Sequence, residues 1–352
     1  MTTRRTVAAA SAFAACAALA LSACSQPSAI NQSGSTPQSA TGSGVDGQLE
    51  VMTAFYPLQY LTTQIGGDLV EAKTLTPPGA EPHDLELSPA KITEMSKSDV
   101  VLYLSGFQTA VDDAVAQHAP KTVIDVAPAV QLVDSSEHGD DGHDHGAESG
   151  HDHEAESGHD HAAEATSGTD AAADADAGVG IGKDPHFWLD PNRMAAAATV
   201  VGQGLAKADP KHAQDYTTNA STLSKKLKEL ATQMVTGTKD CAHDTFVVTH
   251  AAFGYLADLT DLKQVSLSGI DPDSDPSPAR LREVADEVKK TGIDTIFTET
   301  LLDPRTADTL AKDLGIKTAV LDPIESQSDE AVDYYGAQEK NLSALRGALT
   351  CK

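Results

Sequence analysis

Ile293-Asp294-Thr295-Ile296-Phe297-Thr298 is an apolar run of strand length, Asp303-Pro304 opens a helix-length stretch that stops at Gly315, and Ile316-Lys317-Thr318-Ala319-Val320-Leu321 is a second strand-length run closed by Asp322-Pro323. Strand, helix and strand in that order predict a βαβ unit, because parallel neighbours need a crossover and a helix supplies it. The glycine suits the helix end, where a residue without Cβ takes the left-handed conformation most easily. Upstream, Thr245-Phe246-Val247-Val248-Thr249 and Val265-Ser266-Leu267-Ser268 are two more strands, and Ser277-Pro278 starts a helix with Leu281, Val284 and Val288 inward.

The first half repeats this pattern. Strands are predicted over residues 49–53, 70–75, 100–104 and 123–126, with Pro77-Pro78-Gly79 breaking the second. Helices are predicted over residues 57–65, ended by Gly66-Gly67, and from Ser88-Pro89 to residue 97, where serine caps and proline occupies the first turn. The expected fold class is therefore α/β, with mainly parallel sheets in two similar halves. Between them residues 194–206 are alanine-rich and helical, and Asp209-Pro210 opens a longer helix over residues 211–235. Its Leu223, Leu227, Leu230 and Met234 form one stripe, which suits either a packed domain helix or a strut between two domains. The expected divisions are a leader at residues 1–24, a tether at 25–47, a first lobe at 48–208, a linker helix at 209–240 and a second lobe at 241–352.

Arg4 and Arg5 precede an apolar run over residues 7–21, shorter than the roughly 20 residues a spanning helix takes. It ends in Leu21-Ser22-Ala23-Cys24, which resembles a bacterial lipobox. The expectation is a lipoprotein signal with Cys24 lipidated, against plain cleavage after Ala23, and hence a lipid-anchored extracytoplasmic protein. The Ser-, Gln- and Gly-rich residues that follow read as a flexible tether. Cys241 and Cys351 then remain as an even pair in an oxidising compartment, and a disulfide between them is expected. Neither lies in a ligand-spaced metal cluster.

The formal net charge of −27 argues against nucleic acid or an anionic membrane surface as partner. Much of the charge is local: Asp134 to Asp176 carries fourteen Asp and Glu and no Lys or Arg. Residues 135–182 also hold three copies of an eight-residue unit that begins Gly142-His143-Asp144-His145. The segment lacks an apolar face and reads as a disordered insertion in the first lobe. His138, His143, His145, His151, His153, His159 and His161 alternate there with acids and are expected to form weak auxiliary metal sites, against a solvated linker with no role.

Four other positions put a metal-capable side chain at or just beyond a predicted strand end. They are His83 in Gly79-Ala80-Glu81-Pro82-His83, His186 in Asp184-Pro185-His186-Phe187-Trp188-Leu189-Asp190-Pro191, His250 in Thr249-His250-Ala251-Ala252-Phe253-Gly254-Tyr255, and Asp322 in Leu321-Asp322-Pro323. Each alone is weak evidence, since a histidine after a strand is commonly structural and an aspartate before proline is commonly a turn residue. Jointly they gain weight, because ligands of open α/β sheets bind outside the carboxyl ends of the strands, and two residues precede the long helix while two follow it. Glu299, also at a strand end, is either an acceptor for the outer N–H of a ligand histidine or a surface carboxylate. Tyr56, Trp188 and Tyr255 either line the cleft or simply pack; His118, His212 and His243 read as surface or structural.

These stretches, with Asp275-Pro276-Ser277-Pro278, resemble in order the substrate-binding lipoproteins of zinc and manganese ABC importers, including ZnuA-like zinc receptors, over most of residues 49–352. The resemblance implies two α/β lobes joined by one long helix with the metal in the inter-lobe cleft. It implies His83, His186 and His250 as imidazole ligands and Asp322 as the carboxylate, with delivery to an ABC permease in the membrane; the chain is expected to be a monomer and not an enzyme. The glutamate that some zinc receptors supply directly before the first histidine is Pro82 here, with Glu81 one place back, so that role is not carried over. Three imidazoles and a carboxylate suit a Zn²⁺ tetrahedron better than the oxygen-rich sphere of Mn²⁺. The alternatives are a manganese or mixed-metal receptor, a secreted zinc hydrolase, which would keep an open coordination position, and a histidine-rich metal sink or adhesin.

Overall fold

The computed structural model describes residues 47–138 and 182–352. Cys24, the leader, most of the tether and the histidines from His143 to His161 lie outside the described residues. All the described residues fall in one unit, Gly44–Lys352. The first sheet contains β1 (Leu49–Thr53), β2 (Val70–Thr74), β3 (Val100–Tyr103) and β4 (Thr122–Asp125), with α1 (Tyr56–Gly66), α2 (Pro89–Lys97) and α3 (Thr109–His118) between them. Two short helices, α4 (Ala127–Val130) and α5 (Ser135–His138), follow. Then come α6 (Pro191–Ala208) and the long α7 (Ala213–Thr238). The second sheet contains β5 (Thr245–Val248), β6 (Lys263–Ser266), β7 (Thr295–Thr298) and β8 (Lys317–Val320), with α8 (Gly254–Thr260), α9 (Pro278–Thr291) and α10 (Arg305–Leu314) between them and α11 (Tyr334–Ala348) last.

Both sheets are parallel throughout and share one topology, β2-β1-β3-β4 and β6-β5-β7-β8. The order reverses between β1 and β3 in one sheet and between β5 and β7 in the other, which opens a crevice at each reversal where loops leave in opposite directions. The helix starts follow local chemistry. Ser88 and Ser277 accept from the backbone N–H groups of Lys91 and Arg280, and Pro89 and Pro278 fill the first turn. Gly292 and Gly315 end α9 and α10 at φ 70° and 72°, in the left-handed region that disfavours a Cβ.

α7 is 26 residues long, about 39 Å at 1.5 Å per residue. It packs on α1 and α6 of the first lobe and on α8 and α11 of the second. Leu223, Leu227, Leu230 and Met234 are all buried in one hydrophobic core that runs from Val51 and Leu102 of the first sheet to Phe246 and Phe297 of the second. A smaller core, around Val247, Val284, Val288 and Ile296, stays within the second lobe. Two polar clamps add to the shared core: Trp188 Nε1 donates to Pro323 O at 2.7 Å, and Tyr334 Oη donates to Trp188 O at 2.5 Å. A disulfide joins Cys241, just past α7, to Cys351.

The insertion is narrower than expected from sequence. Ser135–His138 is a turn of helix packed on the second lobe, and Asp134 pairs with Lys183, main chain to main chain and through a 2.7 Å ion pair. Its two ends are therefore held together in a neck.

Leu227→Ala, which removes a fully buried side chain from the middle of α7, should lower stability by about 2–5 kcal/mol. Because the main core is shared, denaturant unfolding followed by fluorescence and by circular dichroism should remain one coincident transition at a lower midpoint; two separated transitions would show that the lobes unfold independently.

Candidate metal centre

Three histidines and one glutamate from four loops converge between the lobes. His83 comes from the loop after β2, His186 from the turn that precedes α6, His250 from two residues beyond β5, and Glu325 from the loop after β8. Local bonds hold each loop. Gln108, beyond β3, donates to Thr76 Oγ1 at 3.0 Å and to Pro82 O at 2.9 Å, fixing the His83 loop. Gly79 N donates to Ser326 Oγ at 2.7 Å, pinning that loop to the opposite lobe beside Glu325. Gly79 has φ 75°, where a side chain would be strained.

The donor atoms all lie within 4.8 Å of one another. His83 Nε2 and His186 Nε2 face each other at 3.2 Å. Glu325 Oε1 lies 3.0 Å from His186 Nε2 and 3.5 Å from both His83 Nε2 and His250 Nε2. A tetrahedron of N and O ligands about 2.0–2.1 Å from Zn²⁺ has edges of about 3.3–3.4 Å, and these four separations, 3.0 to 3.5 Å, lie close to that length. His250 Nε2 is buried and has no hydrogen-bond partner among the described residues, a costly state that a bound cation would relieve.

The outer ring nitrogens orient two of the imidazoles. His186 Nδ1 donates to Asp184 Oδ1 at 2.7 Å, and His250 Nδ1 donates to Glu299 Oε1 at 2.8 Å. Each bond fixes the tautomer that leaves Nε2 free. Glu299, the candidate acceptor from sequence, thus faces a histidine of the cluster at the reversal between β5 and β7. His83 differs: its Nδ1 is buried without a partner among the described residues, and its ring is held by an edge contact to Phe107 at 4.9 Å.

Asp322 does not join the group. Its Oδ1 accepts from Ile324 N at 2.8 Å, closing a turn, and the carboxylate among the imidazoles is that of Glu325. The cause is local: Pro323 is followed by Ile324 at φ 57°, a left-handed conformation rare for a β-branched residue. This reverses the chain, so that the residue three positions on points into the cleft. Nothing in Asp322-Pro323-Ile324-Glu325 marks that turn, since both carboxylates follow the same strand. His138 is also relocated. Its side chain is 6% exposed, with Nδ1 at 2.5 Å from Asp184 Oδ2 and Nε2 at 3.0 Å from Asp258 Oδ2. Trp188 and Tyr255 are packed residues: Tyr255 Oη donates to Asp184 O and accepts from Val133 N.

The charges are coupled. Burial pushes the His186 imidazole down, but Asp184 and then Glu325 override it, and the net direction is up. Burial also opposes charge on His250, yet Glu299 and Glu325 hold its pKa well above the ordinary range. His83 has no such second carboxylate, and burial drives it down. Burial raises Glu325, but the three histidines around it dominate and hold it well below the ordinary range. Asp184, opposed by burial and held by His186 and His138, lies at about 2. Glu81, whose Oε1 accepts from His83 N at 3.0 Å, is pushed up to about 8 by burial and by the facing Glu325. In the metal-free centre the carboxylates thus favour the protonated forms of His186 and His250, and a dication would compete with those protons.

The chain is similar to the zinc-binding protein AdcA of Streptococcus pyogenes serotype M3, with 33% identity over 306 residues covering 86% of this chain and 56% of the relative. It thus spans little more than half the length of that relative. It is 32% identical over 327 residues to the high-affinity zinc uptake system protein ZnuA of Bacillus subtilis, covering 90% of this chain and 92% of the relative. Among solved structures, the laminin-binding protein Lmb of Streptococcus agalactiae, described as bifunctional with adhesin and metal-transporting activity, superposes with a TM-score of 0.68 at 27% identity, covering 86% of this chain and 99% of that one. The Zn(II)-bound ZnuA-like domain of Streptococcus pneumoniae AdcA superposes with a TM-score of 0.64 at 28% identity, with the same two coverages. The sequence profile described as zinc-uptake complex component A, periplasmic, matches residues 51–348, and the chain belongs to this ZnuA family.

Proposed function

We propose that this protein is an extracytoplasmic receptor that binds Zn²⁺ through His83, His186, His250 and Glu325 and delivers it to an ABC-type importer in the membrane, without chemical turnover. The observation that carries the reading is the convergence of three imidazole Nε2 atoms and one carboxylate oxygen from both lobes, all within 4.8 Å of one another and with Glu325 Oε1 3.0–3.5 Å from each imidazole. A nitrogen-rich set of four also favours Zn²⁺ over Mn²⁺ in the Irving–Williams order. Four protein donors leave little room for the open water position a zinc hydrolase uses. The names of the relatives support zinc as cargo, and lipidation at Cys24 would keep the receptor at the membrane, acting as a monomer. The histidines His143, His145, His151, His153, His159 and His161 would collect metal weakly.

Competition titration with a chelator should give one tight Zn²⁺ per chain, with Mn²⁺ bound far more weakly. His186→Ala, His250→Ala and Glu325→Ala should each weaken binding by more than about 100-fold, and Glu299→Gln by about 10–100-fold, the range for loss of an outer partner. Asp322→Ala should cost much less than Glu325→Ala. Tight binding that survives Glu325→Ala but vanishes with residues 139–181 would sink the reading and favour the metal sink.

The pH dependence follows from the proton count. His186 and His250 have raised pKa values in the folded protein. Their contribution to metal-free stability is full below the ordinary histidine value of about 6.5 and is lost as pH rises through the folded values. Zinc needs them neutral, so binding should strengthen with pH by up to about two log units per unit over that window. Calorimetry in buffers of different ionisation enthalpy should count about two protons released per Zn²⁺, and the rise in Tm caused by zinc should be larger at pH 8 than at pH 6. A pH-independent affinity would show that the imidazoles are already neutral or are not ligands.

A further inference from the structure

His138 shares its sequence setting with the histidines of the repeats, and the fold encloses its side chain. Its side chain is 6% exposed. One ring face is closed by Tyr255 edge-on at 4.7 Å, and Arg193 stacks over the same tyrosine at 4.5 Å. Gly254 leaves room for the ring: a Cβ there would lie 2.2 Å from His138 Cγ. The main chain is held as well, with Gln264 Nε2 donating to His138 O at 3.1 Å. Both ring nitrogens face carboxylates, Nδ1 that of Asp184 at 2.5 Å and Nε2 that of Asp258 at 3.0 Å.

Asp184 is fully buried, and its two oxygens are divided. Oδ1 accepts from His186 Nδ1 at 2.7 Å and from His186 N at 2.9 Å, while Oδ2 accepts from His138. Without His138, Oδ2 would be a buried carboxylate oxygen with nothing to bond to among these neighbours, a state that drives the group to rotate or take a proton. Either change loosens its hold on the His186 ring. We propose that His138 is a positioning residue of the metal centre: through Asp184 it holds His186 in the orientation that presents Nε2 to the ion, and through Asp258 on α8 it ties that assembly to the lobe that carries His250. The proposal rests on the reading of His83, His186, His250 and Glu325 as the metal centre. Most of the effect passes through Asp184, because Asp258 is 62% exposed and exposed ion pairs contribute little.

The two ring nitrogens can be separated by substitution. Asparagine places an N–H donor where Nδ1 stands, glutamine places one where Nε2 stands, and leucine supplies neither. In the full chain, with Zn²⁺ buffered by a chelator so that only the tight site fills, His138→Leu should weaken zinc binding by about 10–100-fold, the range for loss of an outer partner. His138→Asn should recover affinity to within about threefold of wild type, and His138→Gln should resemble His138→Leu. With Co²⁺ as probe, the visible spectrum of the centre should shift in His138→Leu and return in His138→Asn, which a loss of overall stability alone would not produce. If His138→Leu fails to fold, the Asn and Gln pair decides by the same criterion. Equal zinc affinity in Asn and Gln, or wild-type affinity in Leu, overturns the proposal while the metal centre stands. Absence of tight zinc binding in the wild type overturns the metal centre itself, and the proposal with it.

Discussion

The Glu325 carboxylate is fully buried, and its Oε1 lies within 3.5 Å of three imidazole nitrogens drawn from both lobes. A lone charge there would cost several kcal/mol of lost hydration. It is tolerable because three imidazoles face it and hold its pKa well below the ordinary range. The same constraint explains the architecture around it. The loop after β8 must reverse, so Ile324 takes a left-handed conformation. That loop must then stay in place, so Trp188 grips Pro323 and Gly79 grips Ser326 from the opposite lobe. The parts of the cleft that carry the donors are also the parts that carry the bonds between lobes.

The two sheets use one topology twice but use it differently. In the second lobe the ends of β5 and β7, which flank the reversal of strand order, provide His250 and the glutamate that orients it. In the first lobe the equivalent position, beyond β3, provides Gln108, which secures the loop of His83. His186 comes from outside either crevice, from the turn into α6, and it has the more elaborate support. One lobe builds a candidate ligand into the switch point; the other uses the switch point as scaffolding for a candidate ligand borne on a longer loop.

Much of this was legible in the sequence. Strands such as Val100–Tyr103 and Thr245–Val248 are short, continuous apolar runs, and their helices carry serine–proline starts or glycine ends, so the α/β alternation could be read directly. The stripe of leucines on α7 was equally clear. α11 was not anticipated, because its inward face includes Gln338 and Asn341, buried to bond Trp188 O and Asp322 O, and polar residues dilute the apolar period. His83 and His250 stood out because each follows a strand, and His186 through the Asp184-Pro185-His186-Phe187-Trp188 stretch, although no strand precedes it among the described residues. Glu325 did not, since its role depends on a backbone turn that residue types do not encode, and Asp322 offered the same chemistry at the more obvious place. His138 was obscured by the histidines that follow it.

The continuous core along α7 has a kinetic consequence. Swinging the lobes apart would strip neighbours from Leu223, Leu227, Leu230 and Met234, each buried in that core, at about 1.5–3 kcal/mol per side chain fully exposed. Peeling back one loop exposes far less. On the proposed zinc reading, exchange of the ion is therefore expected to proceed by local breathing of the segments that bear His83 and Glu325, which the Gly79 to Ser326 bond latches together. A partner that unlatches them could empty the cleft while the two sheets stay where they are.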